Sequence, residues 1–237
     1  VFEFSKALLS LEDIPAWNYD GSSTYQTTGE NSEINLLPVA IYKNPLSKHN
    51  HPSFLILCET RDKDNNPLKT NNRYAAKKMF DKAPNEEPWY GLEQEFFILN
   101  DAIANNLNDQ IGNGQITQGQ YYCSVGGKNT FLRHIIEKHM VACVDAGLNI
   151  SGTNAEVAPY QWEYQIGPST GIEAGDQLWI ARYLLEKIAE EEGYYIDLTP
   201  KPFKQINGSG CHANFSTKKM REDNGLKIIL IWVIKCY

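Results

Sequence analysis

Long apolar runs are scarce in this chain. The longest, Ile228 to Ile234, has seven residues, against the ~20 that a bilayer-spanning helix needs. No membrane partner is therefore expected. Cysteine is sparse and unsuited to a disulfide framework. The five residues (Cys58, Cys123, Cys143, Cys211, Cys236) are odd in number and lack CxxC spacing, which fits a reducing compartment and gives a cytoplasmic expectation. Basic charge is also short. With 22 Lys+Arg against 29 Asp+Glu, the formal net charge is −7, which argues against a general nucleic-acid surface. The first residues carry no signal-peptide pattern, and there is no internal repeat. What remains is an ordinary globular composition, 42% hydrophobic, enough for one large domain or two smaller ones.

The most informative stretch runs from Asn154 to Pro168. It reads as two short strands folded back at Ala158-Pro159-Tyr160. In the second arm Trp162, Tyr164 and Ile166 share one face, and Glu163 and Gln165 share the other, because strand side chains alternate. The apolar face suits a core. The polar face holds a carboxylate whose burial requires a partner, and Glu156 on the first arm can reach the same space. Two carboxylates on rigid strands suit a hard cation. A half-exposed hairpin with a solvated face explains this stretch equally well.

Two further stretches favour the cation. Gly91 to Leu99 reads as a strand with Glu93 and Glu95 on one face, where like charges repel unless a divalent ion intervenes. Asn207 to Ser216 supplies a Gly-rich loop, His212 and another strand. Four carboxylates and one imidazole suit Mg²⁺ or Mn²⁺ better than a structural zinc.

Six segments in order resemble glutamine synthetase of the eukaryotic type: Trp17 to Thr24, Gly91 to Glu95, Gly152 to Glu156, Gln161 to Pro168, Asn207 to His212 and Phe215 to Glu222. The resemblance runs from about Ile14 to about Lys227. It implies an α+β fold: an incomplete β-grasp domain over 1–66, a linker over 67–71, and part of a catalytic domain over 72–237 with a curved antiparallel sheet flanked by helices. It implies ATP-dependent joining of ammonia to L-glutamate through a γ-glutamyl phosphate. Glu95, Glu156 and Glu163 would hold the metal nearer glutamate, and Glu93 and His212 the metal nearer the phosphates. Asn207 and Gly208 would bind glutamate, the glycine admitting close backbone approach. Glu93, Glu163, Tyr164, Gln165, Ile166, Gly167, Pro168, Asn214, Phe215 and Ser216 would contact ATP. Asp20 reads by itself as a plain turn residue. The resemblance makes it catalytic, binding ammonium at a neighbouring subunit's site within a homo-oligomer of stacked rings. A non-catalytic scaffold and a ligase for another amine are the alternative readings.

Other elements follow from local signals. Val1 to Leu11, Val39 to Tyr42, Phe54 to Cys58 and Tyr194 to Leu198 read as strands. Helices are expected from Asn71 to Lys82 (N-cap Thr70; face Ala75, Met79, Phe80), Phe131 to Ala146 and Gly175 to Glu192. His134 and His139 read as structural, and His49 and His51 as solvated loop residues. The Asn-, Gln- and Gly-rich segment from Asn100 to Gln120 reads as a long loop. Residues 228–237 read as an atypical tail, a buried strand or an aggregation-prone end. In the family this region continues with arginines, a flap and a last metal ligand. The chain is therefore expected to be truncated at both ends and to show little activity alone.

Overall fold

The computed structural model describes residues 2–4, 10–48 and 50–236, with side chains for 10–48 and 50–234. The readings for Val1, residues 5–9 and His49 lie outside the described residues. The chain is mixed α+β, as the resemblance implies, and its contacts separate it into two compact units. Among the described residues no helix is long and apolar enough to cross a membrane.

The first unit comprises 1–88, 170–176 and 217–237. Its sheet takes the order β1-β4-β3-β2, built from β1 (Phe2–Phe4), β2 (Trp17–Asp20), β3 (Glu33–Lys43) and β4 (Phe54–Asp62), all paired antiparallel. The last two strands are longer than their apolar cores indicate, because the ladder continues through polar residues to Ile34↔Asp62. Helix α1 (Asn72–Lys82) follows. Its cap is Asn71 rather than Thr70: Asn71 Oδ1 accepts from the Tyr74 amide at 3.1 Å, while Nδ2 donates to the Thr60 carbonyl at 2.9 Å. One side chain thus satisfies an orphan helix N–H and ties the helix to β4. The expected apolar face is not buried, and Met79 is 62% exposed. Polar contacts anchor this helix instead. Arg73 forks Asp176 with two 2.8 Å bonds and approaches Glu59 at 3.6 Å.

The second unit comprises 89–169 and 177–216. It contains β5 (Trp89–Leu99), α2 (Asp101–Gly112), α3 (Arg133–Asp145), β6 (Ile150–Ala155) and β7 (Gln161–Thr170). It continues through α4 (Ile172–Glu191) from Gln177 on, β8 (Tyr195–Asp197) and β9 (Cys211–Ser216). The strand order is β6-β7-β5-β8, with β9 also on β5. Strands β8 and β9 run antiparallel to β5, and β6 to β7. One face carries Phe96, Tyr164 and Ile166, all buried. His139 of α3 meets the Tyr164 ring at 4.8 Å and places Nε2 2.9 Å from the Ala181 carbonyl of α4. Helix α3 buries Ile135, Ile136 and Cys143 as expected, and Gly147 follows it at φ +84°. Met140 remains 37% exposed, and His134 lies at the surface beside Glu192.

The segment read as a long loop after Asn100 is mostly helix α2. Asn100 caps it by accepting from the Ile103 amide at 2.9 Å. Ile103, Leu107 and Ile111 recur at helical spacing and pack with Phe97, Leu99, Phe203 and Ile206. Their apolar stripe is diluted by Asn, Asp and Gln on the solvent side, so composition concealed the periodicity. The tail also differs from expectation. Gly225–Cys236 is a helix, α5, not a buried strand, and its apolar side chains are largely exposed.

Burial holds the His139 imidazole neutral, with its pKa pushed down to about 4. Unfolding returns it to about 6.5. The unfolded chain therefore binds the extra proton throughout that window, and stability falls as pH drops through it. Replacing His139 with Gln is expected to remove about 2 kcal/mol of the loss between pH 7 and pH 5. Urea unfolding of both chains at the two pH values measures this; equal losses would refute it.

Candidate metal and nucleotide site

The face of the sheet opposite Phe96 and Tyr164 changes character along its length. At the Phe97–Leu99 end it is apolar and closed by α2. At the other end it is acidic. Alternation puts Glu93 and Glu95 on this face of β5. The ladder pairs Glu93 with His212 of β9 and Asn154 of β6 with Glu163 of β7. Glu156 follows β6, its amide donating to the Gln161 carbonyl at 2.9 Å.

Three carboxylates meet here. One oxygen each from Glu95, Glu156 and Glu163 lie within 4.8 Å of one another. His212 Nδ1 stands 3.6 Å from Glu93 and 3.8 Å from Glu95. The five residues named as ligands are thus neighbours. Glu156 and Glu163 are each only 7% exposed. Burial foremost, with the neighbouring carboxylates adding to it, raises both pKa values above the ordinary glutamate range. Polar side chains limit the repulsion. Asn154 donates to Glu156 at 3.2 Å, the Val157 amide donates to it at 3.1 Å, and Gln165 donates to Glu163 and to Asn154. An all-oxygen cluster with one adjacent imidazole is the donor set of a hard divalent cation.

Beside it lies a cavity of about 360 Å³ between β5, β7 and β9. Glu93, Gln165, Ile166, Gly167, Pro168, Asn214, Phe215 and Ser216, eight of the residues named for nucleotide contact, line it. Tyr164 does not: its side chain is fully buried in the core, where its hydroxyl titrates far above the usual tyrosine range. Glu163, on the other face of β7, is likewise outside the cavity lining. Trp89, Tyr90, Gly91 and Ser151 also line the cavity and were missed. Tyr90 and Phe215 are directly cross-strand, with ring centroids 5.2 Å apart. Alternation along β5 puts Trp89 and Gly91 on the face of Glu93, whereas Tyr90 and its β9 partner Phe215 fall on the other face and could not be found from it. Gly167 lets this wall close: at φ +117°, a Cβ there would lie 2.4 Å from the Tyr90 carbonyl oxygen.

The Asn207–Gly208 loop leads into β9. A Cβ on Gly208 would stand 2.3 Å from the Pro200 carbonyl oxygen, so the glycine is required by the protein's own backbone. The Asn207 amide donates to Gln118 at 2.7 Å, leaving its side chain exposed. Asp20 belongs to the first unit, and the other named residues to the second. It accepts from the amide and hydroxyl of Ser22 at 2.9 and 2.6 Å, and these bonds lower its pKa.

Known proteins are similar to this chain over most of its length. A family model described as the glutamine synthetase catalytic domain matches residues 69–226. A putative glutamine synthetase of Acanthamoeba polyphaga mimivirus is 52% identical over 222 residues, covering 93% of this chain and 62% of that protein. A chloroplastic glutamine synthetase of Zea mays is 48% identical, covering 95% and 53%. Cytosolic isozyme 1-1 of Oryza sativa subsp. japonica is 48% identical, covering 91% and 61%. The chain thus spans about half to two thirds of these relatives' length.

The raised glutamates carry a stability consequence. The folded chain binds protons more tightly there, so the penalty is complete above the raised pKa values. It is relieved as pH falls through them toward the ordinary value near 4.5. Glu163→Gln is expected to raise the melting temperature at pH 7 without divalent ions. It should also reduce the further rise that added Mn²⁺ produces, about 2.7 kcal/mol for a native-specific site at 100 times its Kd. Melting curves with and without Mn²⁺ test both signs.

Proposed function

Because the chain belongs to the glutamine synthetase family, we propose that it forms the cation- and nucleotide-binding part of a glutamate–ammonia ligase. The reaction is the ATP-dependent joining of ammonia to L-glutamate. The side-chain carboxylate of glutamate attacks the terminal phosphorus of ATP, and ADP leaves. Ammonia then adds at the acyl carbon of γ-glutamyl phosphate, loses a proton, and phosphate departs, giving glutamine. The observation that carries this reading is the meeting of Glu95, Glu156 and Glu163 within 4.8 Å, beside a cleft lined by the expected nucleotide segments.

Glu95, Glu156 and Glu163 would hold one Mg²⁺ or Mn²⁺, and Glu93 with His212 a second. When bound, such ions neutralise the oxygens on which negative charge gathers as one anion attacks another. The chain's own residues do the positioning. Tyr90 and Phe215 offer an aromatic wall to the base, and Asn214 and Ser216 offer polar groups along the same strand. Asn214 already donates to Glu93 at 2.6 Å, orienting that carboxylate. Asn207 and Gly208 present backbone and amide groups to the amino-acid substrate. Orientation of this kind is where much of the acceleration must arise, since the protein has little covalent chemistry to perform.

Asp20 is proposed to bind ammonium and accept its proton at a neighbouring subunit's site, in a stacked-ring homo-oligomer. The Ser22 bonds stabilise its charged form, which suits binding a cation but makes it a weaker proton acceptor. A cytoplasmic location belongs to the same proposal.

Direct binding tests this reading. The chain is expected to bind Mn²⁺ and, in its presence, ADP. Glu95→Gln and Glu163→Gln should each weaken Mn²⁺ binding at least tenfold while circular dichroism is unchanged. Phe215→Ala should weaken ADP binding but leave Mn²⁺ binding nearly intact. Calorimetry showing no binding of either ligand to the unsubstituted chain would overturn the proposal.

A further inference from the structure

We propose that Gln94, held from behind by Arg182, is a positioning clamp that sets both Glu95 and the Asn207–Gly210 loop. This inference rests on the site reading above and extends it to residues outside the ligand set.

Gln94 is 3% exposed and sits on β5 between the two acidic residues, pointing to the opposite face. Arg182 of α4 directs Nε, at 2.9 Å, and Nη2 onto Gln94 Oε1. A guanidinium only donates, so this oxygen must be the amide's acceptor. The Gln94 NH₂ group is therefore turned the other way, where it donates to the Glu95 carbonyl at 2.7 Å and the Gly210 carbonyl at 3.3 Å. Arg182 is itself placed with its guanidinium 5.2 Å from the centre of the Trp179 ring.

The clamped backbone carries the chemistry. The Glu95 amide donates to the Gly210 carbonyl at 3.0 Å. The Gly210 amide donates to Glu95 Oε2 at 2.9 Å. Glu95 Oε1 is the oxygen facing His212. The loop amide thus fixes the direction of the Glu95 carboxylate. Further along the loop, buried Gln161 donates to the Gly208 carbonyl at 2.8 Å and the Ser209 hydroxyl at 3.2 Å. The loop that would carry glutamate is held to the strands bearing the carboxylates by side-chain amides. Such outer contacts change metal affinity by about 10- to 100-fold where they orient ligands.

The test uses Gln94→Glu, Arg182→Met and Arg182→Lys. Gln94→Glu keeps an acceptor for Arg182 but cannot donate to Glu95 or Gly210. Arg182→Met leaves Gln94 in place but frees its amide to turn. Arg182→Lys retains one donor. Two quantities are read: Mn²⁺ affinity by electron paramagnetic resonance, and hydrogen exchange of the Gly210 amide. Gln94→Glu and Arg182→Met are expected to weaken Mn²⁺ binding about 10-fold and to speed Gly210 exchange similarly. Arg182→Lys should recover most of both. A purely structural role would lower the melting temperature and leave the affinity of the folded protein unchanged. Unchanged affinity and exchange in a folded Gln94→Glu or Arg182→Met chain overturn the clamp. Should the unsubstituted chain bind no Mn²⁺, the function proposed above falls, and unchanged Gly210 exchange would separately overturn the clamp.

Discussion

Crowding of like charge on one end of a sheet face is the constraint on which the second unit depends. Glu95, Glu156 and Glu163 come within 4.8 Å of one another while two of them are almost out of solvent. Carboxylates so placed oppose folding unless something compensates. Part of the compensation is internal, from Asn154, Gln165 and backbone amides. These are neutral donors, and they leave the cluster's net charge intact. A site built this way favours cations because the protein has already removed water from the carboxylates and fixed their directions.

The remaining fold serves that placement. Helices α3 and α4 sit behind the sheet, and the contacts of His139 and Arg182 carry them onto Tyr164 and Gln94. Helix α2 and Phe203 close the apolar end of the front face. The acidic end is left open beside a cavity whose wall is the β5–β9 pair. In the first unit, helix α1 is held by a forked Arg73–Asp176 ion pair, while the sheet buries Ile34, Leu55 and Ile56.

Much of this was legible from residue order. Alternation separated Glu163 and Gln165 from Trp162, Tyr164 and Ile166, and the structure keeps that division. It also paired Glu93 with Glu95. Tyr164, next to Glu163, faces the other way, and its ring is buried in the core. In helix α2 the three isoleucine and leucine positions are outnumbered by Asn and Gln, so composition points to a loop while spacing points to a helix. The seven apolar residues after Lys227 lacked any pattern of two or of 3.6, and a uniformly apolar run does not by itself distinguish strand from helix.

The sequence by itself determined which side chains share a face along each strand, because alternation is a property of the local backbone and needs no partner. It also determined the chemistry available: carboxylates, one imidazole, and glycines where backbone must pass closely. Only the tertiary structure decided which faces coincide. The register of Asn154↔Glu163 is fixed locally by the hairpin turn, whereas the pairing Glu93↔His212 joins segments distant in the chain, and its register is set by the packing between them. The same holds for Gln94. Its amide has a defined direction only because Arg182, 88 residues later, presents two donors to one of its atoms.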